Sequence, residues 1–366
     1  MRGHLVLADI SGYTRFLNES ELEHANAIIN ELLEAVIGAI QVPLKVASIE
    51  GDAVFMYGLM PEGTSGQTVL ESVELLYCEF AAALETMVIN TTCTCNACAN
   101  ITTLGMKIVM HCGEFMKGEL AGRETLTGPD VITAHRLLKN TVTEKTDIAD
   151  YMLVTQACVD DLDVESIVAS WIPHTEHYDE LGTIDAYVSS LPDVWAYVRQ
   201  QREDKVLERD AIVSLSKYSK APPGIVWDYM IDPFKRVKWL FANDMEVEGS
   251  EDGRIGAGAS YHCAHGEDNE VTVFTVTDIK TFDYVTYMFP LPNDGLAVRY
   301  TDYLIPSGTG TRIVCHVATP FVAETGDPLP DDVGKEVADH LSEGYSSQLD
   351  ALVAMSDEAA EELVDA

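Results

Sequence analysis

Positive charge is scarce in this chain. Its 366 residues carry 23 Lys and Arg against 60 Asp and Glu, a formal net charge of −37 at pH 7. A surface of that sign repels phosphate backbones and anionic lipid headgroups, so nucleic acid and membrane are excluded as default partners. Cysteine is sparse too: eight thiols are too few for a disulfide scaffold of this size. No apolar run is long enough to span a bilayer. Met1-Arg2-Gly3-His4 leads straight into an apolar strand, not a secretory leader. A cytoplasmic location is the default expectation. The hydrophobic fraction of 47% is ample for two domains with full cores.

Against this acidic background two carboxylates stand out by position. In Leu5-Val6-Leu7-Ala8-Asp9-Ile10-Ser11-Gly12-Tyr13-Thr14 an apolar strand ends on Asp9, and a small-residue turn opens a helix. The stretch 45–57 reads as two short strands joined at Glu50-Gly51, and Asp52 opens the second. If these strands flank the first in one sheet, Asp9 and Asp52 come together. Two ionised carboxylates side by side repel, so such a pair holds a divalent cation or shares a proton. Mg²⁺ or Mn²⁺ held by two carboxylates and substrate phosphates is the usual use. The competing reading is a solvated pair of turn residues.

A third stretch completes a set: His111-Cys112-Gly113 at a strand end, then Gly128-Pro129-Asp130-Val131-Ile132-Thr133-Ala134-His135-Arg136-Leu137. With Asp-Ile-Ser-Gly-Tyr-Thr and Glu-Gly-Asp-Ala-Val in order before it, the region over about 3–190 resembles the catalytic domain of class III nucleotide (adenylate/guanylate) cyclases, in a divergent bacterial subgroup. The resemblance implies a ferredoxin-like palm. It implies that Asp9, the Ile10 carbonyl and Asp52 bind Mg²⁺ or Mn²⁺, and that Arg136 stabilises the transition-state phosphate. It also implies a nucleoside triphosphate substrate and a homodimer that shares its sites. The departures lie in the base-reading half. Ile132 stands where the family has an asparagine, Ser48 where it has a lysine, and Thr125 where it has an acidic residue. Ser48 and Thr125 are therefore the candidate base contacts. Asn140, one turn beyond Arg136, is a candidate stand-in for the missing asparagine.

Along the chain, Ser20-Glu21-Leu22-Glu23 is a capping box. It opens a helix with Ala25, Ile28, Ile29, Leu32, Leu33 and Val36 on one face. A loop is expected over 61–67, a helix over 69–89, strands over 104–112 and 114–120, and a helix over 129–139. Further strands are expected over 152–155 and 166–172, and a hairpin or bent strand over 178–188. The helices are expected on one side of the sheet. Cys93-x-Cys95-x-x-Cys98 is unexplained by the cyclase resemblance. Three thiolates in six residues form a candidate second metal site for Zn²⁺ or an iron–sulfur centre, with Cys78 or Cys112 as fourth ligand; reduced loop cysteines are the alternative. Cys158, Cys263 and Cys315 read as core thiols.

A linker helix is expected within 191–207. Beyond it come a strand, Pro-led helices, an antiparallel meander and a long terminal helix over 331–354. With Ala221-Pro222-Pro223-Gly224-Ile225-Val226-Trp227, this order resembles the START-like (helix-grip, polyketide cyclase/dehydrase-type) superfamily over about 208–355. The resemblance implies an apolar small molecule between sheet and helix, with Trp227, Trp239, Tyr261, Phe274, Tyr287 and Phe289 as candidate cavity residues. Residues 356–366 are expected to form a frayed acidic tail. The fold expectation is thus α+β: a cyclase-like palm over 1–190, the linker, a START-like domain, then the tail. Two functions compete. One is a metal-dependent cyclase that makes cyclic nucleotide and pyrophosphate and is coupled to a ligand-binding domain. The other is an inactive cyclase-homology module with the same ligand-binding partner.

Overall fold

The computed structural model describes residues 1–59, 64–200, 204–249, 253–266, 268–291 and 295–365, and divides into two units, Met1–Gln200 and Gln201–Ala366. In the first unit the apolar run expected around Leu5 forms β1 (Arg2–Ser11). It is followed by α1 (Tyr13–Glu19), α2 (Leu22–Gly38), β2 (Leu44–Glu50), β3 (Ala53–Gly58) and α3 (Gly66–Asn90). Next come α4 (Asn96–Ala99), a 3-10 turn at Ile101–Thr103, β4 (Gly105–Glu114), β5 (Met116–Leu120), β6 (Arg123–Thr127), α5 (Pro129–Leu137) and α6 (Val142–Thr146). The unit closes with β7 (Tyr151–Thr155), α7 (Gln156–Leu162), α8 (Glu165–Val168), β8 (Ile172–Tyr178), β9 (Gly182–Ser190) and α9 (Leu191–Gln200).

Its main sheet has the order β2-β3-β1-β4-β7-β9-β8. β1 runs antiparallel to both β3 and β4, and β4 runs parallel to β7. The first four strands, in the spatial order 2-3-1-4 with a helical connection after β1 and after β3, make the ferredoxin-like palm of an α+β fold. Side chains alternate across the sheet. Val6, Ala8, Ile10, Met106, Ile108 and Met110 join α2 and α3 in one core. Leu5, Leu7, Phe55 and Tyr57 join Val131 and Ala134 of α5 in another. Helices therefore cover both faces, not one as expected. Asp9 and Lys107 fall on the α5 side by the same alternation.

Two aspartates lock β4 to its neighbours, and each needs a glycine. A Cβ at Gly113 would lie 2.2 Å from the Asp130 carboxyl carbon, and one at Gly105 would lie 2.1 Å from an Asp150 oxygen. Freed by that space, Asp130 accepts from the Glu114 backbone N–H at 2.6 Å and sits 3.3 Å from His111 Nε2. Asp150 accepts from the Met106 N–H at 3.2 Å and from the Tyr77 hydroxyl at 3.1 Å. The His-x-Gly strand end thus docks the start of α5.

Several local expectations differ from the structure. Ser20 does not cap α2: Glu21 holds the N-cap position without a side-chain bond there, and its carboxylate is spent elsewhere. The stretch 166–172 expected as a strand is instead the end of α8, a turn and the first residue of β8, and β6 was missed. The loop expected over 61–67 lies partly outside the described residues, and Gly66 already begins α3. Cys112 and Cys158 form a disulfide, which removes Cys112 as a metal ligand and Cys158 as a free core thiol. The expected linker helix is α9, which belongs to the first unit: Trp195 Nε1 and Arg199 Nη1 both donate to Glu85 on α3, at 3.0 and 2.8 Å. Residues 201–203 of that stretch lie outside the described residues.

The second unit contains β10 (Ala211–Ser219), α10 (Pro223–Ile231), α11 (Pro233–Trp239), β11 (Asp244–Glu248), β12 (Ser260–His265) and β13 (Glu270–Lys280). It continues with β14 (Tyr284–Pro290), β15 (Leu296–Ser307), β16 (Gly310–Ala318), β17 (Phe321–Val322) and α12 (Asp331–Asp365). The antiparallel order is β10-β16-β15-β14-β13-β12-β11, with β17 on β15. α12 packs beside β10 and against α10 and α11. Within α12, Leu349 and Leu352 are completely buried, whereas Val333 in its first turn is exposed. The tail expected to fray continues α12 as far as Asp365. No described helix is long and apolar enough to cross a membrane.

Candidate functional site

β1 pairs Asp9 with Ala53 on one side and with Lys107 on the other. The next rung is closed by the Ile10 N–H, which donates to the Asp52 carbonyl at 3.1 Å. Asp9 and Asp52 are thus brought together at the end of two central strands. Burial first, and then the Asp9 charge, push the Asp52 carboxyl above its ordinary value, while Lys107 pulls it down. Those are the signs expected of two carboxylates sharing one small space.

Lys107 is the residue that the sequence reading missed. Its Nζ lies 3.0 Å from Asp9 Oδ2 and donates to the Leu138 carbonyl at 3.3 Å. With 26% of the Lys107 side chain and 18% of Asp9 exposed, the pair sits at the rim of the core. Two carboxylates and one ammonium leave a net charge of −1. The donor set of Asp9, Asp52 and the neighbouring carbonyls is all oxygen, the chemistry that Mg²⁺ and Mn²⁺ prefer.

The other expected residues are placed less openly. Ser48 Oγ donates to Glu50 Oε1 at 2.8 Å, and Glu50 Oε2 lies 3.6 Å from His135 Nδ1. His135 in turn meets the Phe55 ring at 4.8 Å. Thr125 lies on the separate β5–β6 ribbon, opposite Gly118. Arg136 faces Glu180 of the β8–β9 turn at 3.6 Å, with both side chains largely exposed. Asn140 is not left to stand in for an asparagine. Its Nδ2 donates to the Leu137 carbonyl at 2.7 Å, and its Oδ1 accepts from the Val142 N–H at 3.0 Å and the Tyr151 hydroxyl at 2.8 Å. That amide joins the end of α5 to α6 and β7.

In the second unit a cavity of about 270 Å³ lies between the sheet and α12, with Phe274, Phe289, Tyr300, Leu341 and Tyr345 among its walls. Of the six expected lining residues, only Phe274 and Phe289 reach it. Trp239, Tyr261 and Tyr287 pack instead around Arg236, whose guanidinium carbon lies 5.0, 4.6 and 4.4 Å from their ring centres. Trp227 meets Phe282 at 5.6 Å. Arg236 is fully buried and donates to the Met230 carbonyl and the Tyr287 hydroxyl at 2.9 and 2.8 Å. A buried arginine lacks any pattern signal, because arginine is mostly found exposed.

Residues 29–146 match the family model described as "Protein of unknown function (DUF2652)". Among solved structures, a bacterial light-regulated adenylyl cyclase is similar with a TM-score of 0.39 and 15% identity, over 54% of this chain and 97% of that one. The guanylyl cyclase Cya2 has a TM-score of 0.39 and 14% identity, over 51% of this chain and 91% of that one. The Mycobacterium tuberculosis "Uncharacterized protein Rv2561/Rv2562" is 30% identical over 167 residues, which span 44% of this chain and 75% of that protein. This chain belongs to the same family as that mycobacterial protein.

Proposed function

We propose that the first unit handles a nucleoside triphosphate with a divalent cation, as a nucleotide cyclase of the class III type. The observation that carries this reading is the Asp9–Asp52 pair, one on β1 and the other in the turn just before β3, with one lysine and a residual negative charge. Asp9, Asp52 and the Ile10 carbonyl would hold Mg²⁺ or Mn²⁺; such a cation, when bound, polarises a phosphate oxygen and activates a hydroxyl nucleophile. Lys107 then gives up Asp9 and faces a phosphate oxygen of the substrate. Arg136, on the exposed end of α5, exchanges Glu180 for the phosphate of a substrate held with a second copy of the chain. Ser48 and Thr125 bring no charge to the base, so discrimination among bases is weak.

A second reading, binding without turnover, is favoured by Asn140, whose amide is consumed by the α5 cap. The purified chain is incubated with Mn²⁺ and each of the four nucleoside triphosphates, and the products are separated by chromatography. Cyclic nucleotide and pyrophosphate in equal amounts, lost in Asp52→Asn, support the first reading. Triphosphate binding without product selects the second. Neither binding nor product removes nucleotide from this site.

For the second unit we propose a START-like role, the binding of a small apolar molecule. Its cavity, about 270 Å³, falls just under the roughly 300–1,000 Å³ of drug-sized sites. Within the apolar small molecules that the helix-grip resemblance implies, a single aromatic ring or a short chain suits this volume. Such a ligand raises the melting temperature of the unit by mass action.

A further inference from the structure

The loop between α3 and β4 carries three thiols, and the fold brings a fourth donor to them from far away in the chain. His24, in the first turn of α2, places Nδ1 3.2 Å from Cys95 Sγ and 3.8 Å from Cys93 Sγ. The ligand atoms of His24, Cys93, Cys95 and Cys98 all lie within 4.8 Å of one another. Zinc–sulfur bonds of about 2.3 Å and zinc–nitrogen bonds of about 2.0–2.1 Å give a tetrahedron with edges of roughly 3.5–3.8 Å. The observed separations bracket that edge.

Three further observations separate this cluster from a chance meeting of loop cysteines. First, all three thiols are unpaired although they crowd together, in a chain whose Cys112 and Cys158 do form a disulfide. Second, a sulfur already receives a backbone N–H group: the Cys98 N–H donates to Cys95 Sγ at 3.4 Å. Such bonds orient and stabilise thiolates around a metal. Third, Glu21 accepts from the Asn96 and Ala97 N–H groups at 3.3 and 3.1 Å, so the loop is already pinned to the start of α2, where His24 sits.

We propose that His24, Cys93, Cys95 and Cys98 form a closed, tetrahedral structural zinc site. A Cys₃His set filling all four positions leaves none for water or substrate, which is the structural and not the catalytic form. The fourth ligand expected from the sequence, Cys78 or Cys112, is replaced: Cys78 is a free, buried thiol outside this cluster, and Cys112 is in the disulfide. The clamp reaches the rest of the fold through the 3-10 turn at Ile101–Thr103. A Cβ on Gly12, which has φ of 84°, would lie 2.8 Å from the Thr103 carbonyl oxygen. The fastened loop therefore rests on the turn that follows Asp9 and Ile10. Zinc here steadies that turn, whatever the carboxylates bind.

The test uses the full-length chain, expressed with zinc in the medium and dialysed. Elemental analysis should find about one zinc per chain, and X-ray absorption should find three sulfurs near 2.3 Å and one nitrogen near 2.0–2.1 Å. Cys95→Ser should lower the zinc content or affinity by about tenfold or more. His24→Cys should keep the zinc and change the shell to four sulfurs, which separates lost ligation from lost folding. Hydrogen exchange at Gly12 and Thr103 should quicken when a chelator strips the metal. Iron with acid-labile sulfide, a metal-free protein that fails to take up zinc, or zinc that survives Cys95→Ser would each overturn the proposal.

Discussion

Lys107 of the first unit and Arg236 of the second are both cations close to a core, and the two are treated in opposite ways. Lys107 of the first unit stays partly exposed and bonds to a carboxylate, Asp9, which also faces Asp52. Arg236 of the second unit is fully buried, ringed by Trp239, Tyr261 and Tyr287, and bonded to a carbonyl and a phenol. Its Nε and Nη2 have no hydrogen-bond partner among the described residues. A partly solvated ion pair is worth little and can be exchanged for another charge. A desolvated guanidinium in an aromatic cage cannot be exchanged without dismantling the core. The first arrangement suits a binding site; the second suits a fixed wall beside a small cavity.

The largest effect should come from breaking the fixed cation. Arg236→Ala leaves a cavity, and the Met230 carbonyl and Tyr287 hydroxyl lose their donor. It should cost about 3–5 kcal/mol in urea unfolding of the second unit. A loss under about 1 kcal/mol would mean that the cage is not essential to the core.

Acid sharpens the comparison. Burial holds His4 of the first unit down to about 4, with Asp161 pulling the other way. The unfolded chain then binds more protons than the folded one between pH 4 and 6.5, so stability is full above that window and is lost as pH falls through it. Burial pushes Asp302 of the second unit up to about 6, against the Tyr345 hydroxyl and Arg236, which pull down. Here the folded state binds more protons, so stability is full near pH 4 and is lost as pH rises toward 6. Each span is about 3 kcal/mol at most. His4→Gln should gain on the wild type as pH falls from 6.5 to 4, and Asp302→Asn should gain as pH rises from 4 to 6. Melting temperatures that stay parallel across pH would contradict both assignments.

Removing the exchangeable cation should have a smaller effect, and a different one. Lys107→Met should cost less than about 1 kcal/mol of stability but raise Mn²⁺ affinity by about tenfold, since a competing charge has gone. Calorimetric titration distinguishes the two outcomes. Smaller still, Glu180→Ala should change stability by no more than about 0.5 kcal/mol, because its pair with Arg136 is exposed. A larger loss in a urea titration would place that pair in the packing of the hairpin.

Much of the palm was legible because it rests on periodicity. The β1 run, the α2 face from Ala25 to Val36 and the turn that opens on Asp52 each declare themselves locally. What stayed hidden depends on register. Lys107 stands in an otherwise apolar strand and meets Asp9 only once β1 and β4 are paired. His24 lies 69 residues before Cys93 and carries no signal except its place in the first turn of a helix. Glu21 looked like part of a capping box, yet its carboxylate reaches α4. The aromatic residues of the second unit were read as cavity walls, yet four of the six lie elsewhere, three of them around Arg236, because nothing in Phe234-Lys235-Arg236-Val237 marks the arginine as buried.

The central claim is that Asp9 and Asp52 form a cation site which Lys107 only holds in reserve. Mn²⁺ titration by calorimetry on the wild type, Asp52→Asn and Lys107→Met, with and without a nucleoside triphosphate, tests it most directly. The account predicts binding in the wild type that strengthens with triphosphate, falls by more than about tenfold in Asp52→Asn and rises in Lys107→Met. Equal, negligible heats in all three proteins would show that Lys107 is the permanent partner of Asp9 and that no cation enters the site.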